Sequence, residues 1–222
     1  MSEIELITYH GWGGDDSFWS GLQKNVPDKI HWKNFDRGYF DKPTSPGFTE
    51  KNGTKIVLTH SFGLHLCPNE ILDRADTLII YSGFLHFHPQ AAQFRRRSKQ
   101  VVAEMISKFK ERPYDVLKAF YRNVFHPEKE FDLPPKTINN ELLLEDLKLL
   151  NKNKQALPSL KKNAKVFIFH GADDAIVPKR KGRALYQKFG RKAQYFEIKQ
   201  SGHGLPLTQP DRCWRMIESE IT

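Results

Sequence analysis

The stretch Lys55-Ile56-Val57-Leu58-Thr59-His60-Ser61-Phe62-Gly63-Leu64 constrains this chain more than any other. A β-branched, apolar run stops at a serine set between turn-compatible residues, and a segment compatible with a helix follows. The pattern predicts a strand over Ile56–Thr59, a tight turn at Ser61 and a helix over Leu64–Leu72. Such a turn holds a hydroxyl at its tip, with the amides at the start of the helix aimed at it. The serine gains a chemical meaning only if partners follow at suitable places along the chain.

At 222 residues the chain can form one substantial α/β domain with room for an inserted subdomain. No apolar run is long enough to cross a bilayer. The start, Met1-Ser2-Glu3-Ile4-Glu5, has neither a basic nor an apolar leader region, and the two cysteines, Cys67 and Cys213, are too few for a disulfide framework or a zinc site. The expectation is a cytoplasmic monomer with reduced cysteines and neither metal nor cofactor. The formal net charge of +9 points to a polyanionic partner or to a solvated basic surface. Without a zinc finger, an RNA-binding aromatic pattern or a continuous basic helix, no nucleic-acid partner is expected.

Strands are predicted at Ile4–Tyr9, Ile30–Phe35, Ile56–Thr59, Thr77–Tyr81, Lys165–Phe169 and Ala193–Ile198, with helices between several of them and after the last. That alternation implies an α/β protein whose mostly parallel sheet is covered by helices on both faces. Between about Gln90 and Leu160 the pattern is helical and charged and contains no strand. Apolar residues recur there at helical spacing: Val101, Met105, Ile106 and Phe109, then Val116, Leu117, Phe120, Tyr121 and Val124. The domain plan is therefore a core over 1–88, an inserted helical cap over 89–160 and the rest of the core over 161–222.

In a parallel sheet the loops at the carboxyl ends of the strands converge on one edge, where ligands bind. Three loops there carry reactive residues besides Ser61. The glycines of His10-Gly11-Trp12-Gly13 allow close backbone approach, so the Trp12 amide is a candidate oxyanion donor beside that of Phe62. Taken alone, this loop also reads as an ordinary glycine-rich turn. In Gly171-Ala172-Asp173-Asp174-Ala175-Ile176-Val177-Pro178 the spacing to Val-Pro favours Asp174, with Asp173 as the alternative, for orienting an imidazole. His203, between Gly202 and Gly204, has little packing role. The order Ser61, Asp174, His203 supplies a nucleophile, an orienting carboxylate and a base, each after a predicted strand.

The HGWGG loop, the Ser61 turn, GADDAIVP and SGHG together resemble the α/β-hydrolase superfamily over nearly the whole chain. Within it, His10-Gly11-Trp12-Gly13-Gly14-Asp15, Arg37-Gly38-Tyr39-Phe40 and Thr59–Pro68 resemble the cyanobacterial-type esterases that demethylate pimeloyl-[acyl-carrier protein] methyl ester in biotin synthesis. The resemblance implies an α/β-hydrolase fold and a serine carboxylesterase whose partner is an acidic acyl carrier protein. The sequence departs from the usual turn at Thr59, where a glycine is the norm. Its branched side chain is expected to crowd the turn and open it slightly, or to displace the helix.

The cap suits such a substrate. Between Ala91 and Glu130 ten Lys or Arg face five Asp or Glu, and Arg95, Arg96 and Arg97 are the candidates for binding the carrier or its phosphate. Tyr121 and Phe125 are candidates for lining the acyl site. A thioesterase or general short-chain esterase on the same residues, and a non-catalytic binding protein of the same fold, are the alternatives.

Overall fold

The computed structural model describes residues 3–49, 52–128, 134–135, 137–152, 156–216 and 218–221. Six strands, β1 (Ile4–Tyr9), β2 (Ile30–Phe35), β3 (Thr54–His60), β4 (Thr77–Tyr81), β5 (Lys165–Gly171) and β6 (Ala193–Ile198), form one sheet in the order β2-β1-β3-β4-β5-β6. All neighbours pair in parallel. From β1 the chain moves one way to β2, and then back across β1 to β3. The strand order therefore reverses between β1 and β3, which opens a crevice at their carboxyl ends. The loops leaving those two ends are the glycine-rich loop and the Ser61 turn.

After a short 3-10 turn, Asp16–Trp19, the helices are α1 (Ser20–Gln23), α2 (Gly63–Leu66), α3 (Asn69–Leu72), α4 (Ala92–Glu111), α5 (Pro113–Phe125), α6 (Asn140–Lys152), α7 (Arg180–Phe189), α8 (Leu205–Thr208), α9 (Pro210–Arg215) and α10 (Glu218–Ile221). The two-residue period of the strands sends alternate side chains to opposite faces. Leu6, Ile56, Leu58, Ile79 and Phe167 pack on one face against Phe18, Trp19, Leu22, Leu205 and Trp214. Ile7, Val57, Leu78, Ile80 and Ile168 pack on the other against Leu64, Leu72, Leu185 and Phe189. At about 1.5–3 kcal/mol per buried large apolar side chain, these two layers supply most of the drive to fold.

The predicted Leu64–Leu72 helix is two single turns instead. Pro68 offers no N–H and drives the residue before it out of the helical region, so Cys67 is extended (ψ 122°) and α2 stops there.

The three helices α4, α5 and α6 lie between β4 and β5 in sequence. They meet the sheet edge in a third apolar cluster, with Trp12, Tyr39, Phe62 and Phe84 from below and Val102, Phe109, Leu117 and Leu147 from above. Polar ties fix the contact. Arg37 donates to buried Asp146 of α6 through Nε (2.8 Å) and a terminal nitrogen (3.0 Å), and the Tyr39 hydroxyl donates to the same carboxylate at 2.7 Å. The Trp12 indole donates to the Leu143 carbonyl at 2.8 Å.

Candidate active site

Ser61 follows β3 directly and adopts φ 54°, a left-handed conformation that costs a non-glycine residue energy unless its surroundings enforce it. Its N–H donates to the Tyr81 carbonyl at 2.9 Å, which holds the turn against β4. The turn closes with Thr59 in place. Thr59 stays inside β3, fully buried, paired with Tyr9 on one side and Ile80 on the other. The crowding falls two residues after the serine, where a Cβ on Gly63 would lie 2.2 Å from the Tyr9 carbonyl oxygen. Gly11 is likewise pressed to the serine, its added Cβ falling 3.0 Å from Ser61 Cβ.

The structure brings Asp174 and His203 together. Asp174 Oδ2 accepts from His203 Nδ1 at 2.8 Å, and both side chains are fully buried. The other oxygen, Oδ1, accepts from the Ile176 and Val177 amides at 2.9 and 2.7 Å. Burial opposes ionisation of this carboxyl. Its pairing with His203, and then its contact with His170, outweigh burial and hold the group well below the usual carboxylate range. An acceptor at Nδ1 places the proton of neutral His203 there and leaves the lone pair on Nε2, which is buried and unpartnered among the described residues. An imidazole in that tautomer, with an ionised carboxylate behind it, is prepared to take a proton. Asp173, the alternative carboxylate, is exposed, and its amide donates to the Ser201 carbonyl at 3.0 Å.

Sequence reasoning missed the residues that fix His203 in place. His60 Nε2 donates to the His203 carbonyl at 3.0 Å, and Ser82 Oγ donates to the same oxygen at 3.0 Å. The His60 ring lies between Phe18 (centroids 4.3 Å apart) and the His203 ring (4.7 Å). Burial, then the neighbouring His203, lowers its pKa well below that of a free imidazole, so it is neutral. His170, at the end of β5, donates to the Val177 carbonyl at 2.7 Å and lies 3.4 Å from Asp174 Oδ2. From above, the Gly204 amide donates to the Val124 carbonyl of α5 at 2.8 Å, and a Cβ on Gly202 would overlap the His126 carbonyl. A histidine beside the serine and another in the strand before the aspartate are visible in the sequence, but nothing local distinguishes them from core residues.

The amides of Trp12 and Phe62 have no acceptor among the described residues. Ser61, Phe62 and Trp12 line a pocket of about 440 Å³ walled by Phe84, Phe87, Met105 and Phe120, with Arg97, Arg180 and Lys181 also in its lining. Trp12 and Phe120 also bound a second cavity of about 180 Å³ over the glycine-rich loop.

Of the remaining sequence candidates, Arg97 reaches the Ser61 pocket and Arg96 is exposed but does not line it. Arg95 is directed elsewhere: its guanidinium donates to the Pro89 carbonyl at 3.1 Å and to the Gln90 carbonyl, tying the loop ahead of α4 to the first turn of the helix. Tyr121 and Phe125 line the smaller cavity, not the Ser61 pocket, and the Tyr121 hydroxyl donates to the Gly13 carbonyl at 2.9 Å. Tyr121 is turned about 100° round α5 from Phe120, which lines the Ser61 pocket together with Asn123.

No protein-family profile matches the sequence, and no curated protein matches it. Solved structures do resemble it. An esterase from Exiguobacterium antarcticum superposes with a TM-score of 0.79 at 16% identity, covering 99% of this chain and 92% of that one. The enol-lactonase from Burkholderia xenovorans LB400 gives 0.76 at 14% identity, covering 99% and 91%. A hydrolase from Oleispira antarctica gives 0.75 at 12%, covering 100% and 92%. With its parallel six-stranded sheet and this likeness along its whole length, the chain has the α/β-hydrolase fold.

Proposed function

We propose that the protein is a serine carboxylesterase in which Ser61 is the nucleophile, His203 the general base and Asp174 the residue that orients it. The observation that carries the reading is the 2.8 Å bond from His203 Nδ1 to buried Asp174, which leaves the lone pair on Nε2, in a ring 4.7 Å from that of His60, the residue next to Ser61 in its strained turn. Ser61 Oγ attacks the ester carbonyl while Nε2 takes its proton, and the Trp12 and Phe62 amides receive the developing oxyanion. Collapse expels the alcohol with the proton from His203. Water, deprotonated by the same nitrogen, then releases the acid and restores Ser61. Among the described residues Ser61 Oγ makes no hydrogen bond to His203 Nε2; such catalytic bonds commonly form only when substrate binds.

For the substrate we favour the methyl ester of pimeloyl-[acyl-carrier protein]. The apolar walls of the Ser61 pocket suit an unbranched aliphatic chain, and the excess of basic residues on α4 and α5 suits an acidic carrier. A fluorophosphonate probe is expected to label the native protein and not Ser61→Ala; no labelling of the native protein would favour a binding protein without catalysis. Incubation with the carrier-linked methyl ester is expected to release methanol. Release of free carrier thiol instead would make the protein a thioesterase. Growth of a biotin auxotroph lacking its pimeloyl-ester esterase, rescued by the native gene and not by Ser61→Ala, tests the assignment in cells.

A further inference from the structure

The lining of the Ser61 pocket carries charge that the reaction does not use. Arg97 arrives from α4, and Arg180 and Lys181 arrive from the first turn of α7, so two separate elements bring three cations to one pocket. Phe94 and Val101, both more than half exposed, belong to the same lining and mark its open side. Arg97 and Arg180 are exposed, and neither has a carboxylate partner among the described residues. The acid that α7 does engage, Glu197, is taken by Lys179 at 2.8 Å and Arg183 at 2.6 Å, on either side of Arg180 in sequence.

Lys181 is held in place without being neutralised: its ammonium donates to the His86 and His88 carbonyls at 2.5 and 2.9 Å. Burial, and then the charge of Arg180, push its pKa down to about 8, as expected where positive charge is left uncompensated. Guanidinium groups against apolar walls bind carboxylates and phosphates through paired, charge-assisted hydrogen bonds.

We infer that Arg97, Arg180 and Lys181 form an anion site at the mouth of the pocket, which binds a carboxylate or phosphate carried by the substrate at the end remote from the ester. The site rests on the esterase reading for what lies at the Ser61 end. It assigns a substrate form: an apolar linker with an ester at one end and an anion at the other. It also gives the core helix α7, and not the α4–α6 segment alone, a part in selecting substrates.

The test uses two pairs of methyl esters. One pair is a dicarboxylic acid monomethyl ester and its neutral terminal amide; the other is an acyl methyl ester thioester-linked to phosphopantetheine and to pantetheine. In one pair the native protein is expected to favour the anionic member by about tenfold or more in kcat/KM. The first pair would assign a free carboxylate and the second a phosphate. In Arg97→Gln/Arg180→Gln that ratio is expected to fall toward one, through the KM of the anionic member. Calorimetric binding of the same four compounds to Ser61→Ala protein reads the site without turnover. Hydrolysis of neutral esters with no anion preference in either assay, or a preference that survives in the double variant, overturns the anion site and leaves the esterase standing. Anion-selective binding in a protein that cleaves none of the esters would do the reverse.

Discussion

The loops at the carboxyl edge of the sheet and the α4–α6 segment above them are secured by different means. At the edge, buried histidines and main-chain amides hold one another: His60, Ser82 and His170 fix the positions of His203 and Asp174. Above it, the segment is held by an apolar cluster and a few long-range ties, notably Asp146 to Arg37 and Tyr39 and Trp12 to Leu143. The comparison teaches that orientation is the scarce quantity at the edge and attachment is the scarce quantity above it. Changes at the edge should therefore cost turnover while sparing the fold, and changes above it should do the opposite.

The strongest way to break that division is Asp174→Asn. The amide presents a donor to His203 and favours the wrong tautomer, so kcat for ester hydrolysis should fall about 10⁴-fold. The circular-dichroism spectrum should be unchanged, and loss of the folded signal would count against the division. Asp146→Ala should do the converse. It strips a buried carboxylate from Arg37 and Tyr39, and urea unfolding should show a loss of about 3 kcal/mol.

His65, just past the Ser61 turn, bounds the division, because its burial bears on stability. Burial, against a hydrogen bond to the Phe84 carbonyl, lowers its pKa from 6.5 to about 4. Between those values the unfolded chain takes up a proton that the folded protein declines, so stability falls as pH drops through that window, by up to about 3 kcal/mol. Unfolding measured from pH 7 to 4 should show the loss, and His65→Phe should flatten it. The smallest effect is expected from Trp12→Phe, which removes the bond to the Leu143 carbonyl and part of the ring packed on Phe109 and Phe120, and should cost about 2 kcal/mol in thermal unfolding.

Much of the edge was legible in the sequence. β-branched, apolar runs gave the strands nearly to the residue, as at Ile4–Tyr9, Ile30–Phe35 and Thr77–Tyr81. Because strands end where loops begin, Asp174 and His203 could be placed at one edge before any geometry was known. The region above resisted. Periodicity identified α4 and α5 but not their phase against the core, so Arg95 turned out to bond the loop ahead of its own helix and Tyr121 to face the smaller cavity. The breaks around Pro68 stood in plain view, yet the apolar run across it masked them. Arg180 and Lys181 follow Val177-Pro178 directly, but only the fold carries them to the same pocket as Arg97.

The bond from the Gly204 amide to the Val124 carbonyl bears on how such a protein can be altered by recombination. His203 is flanked by two glycines that both abut the end of α5, so the base is moulded partly by the helices above it. A chimaera that transplants a foreign α4–α6 segment would replace one wall of the mould in which the His203 loop is cast. Such exchanges should succeed only when the donor brings a matching helix end at Val124–His126, however well its apolar face fits the sheet.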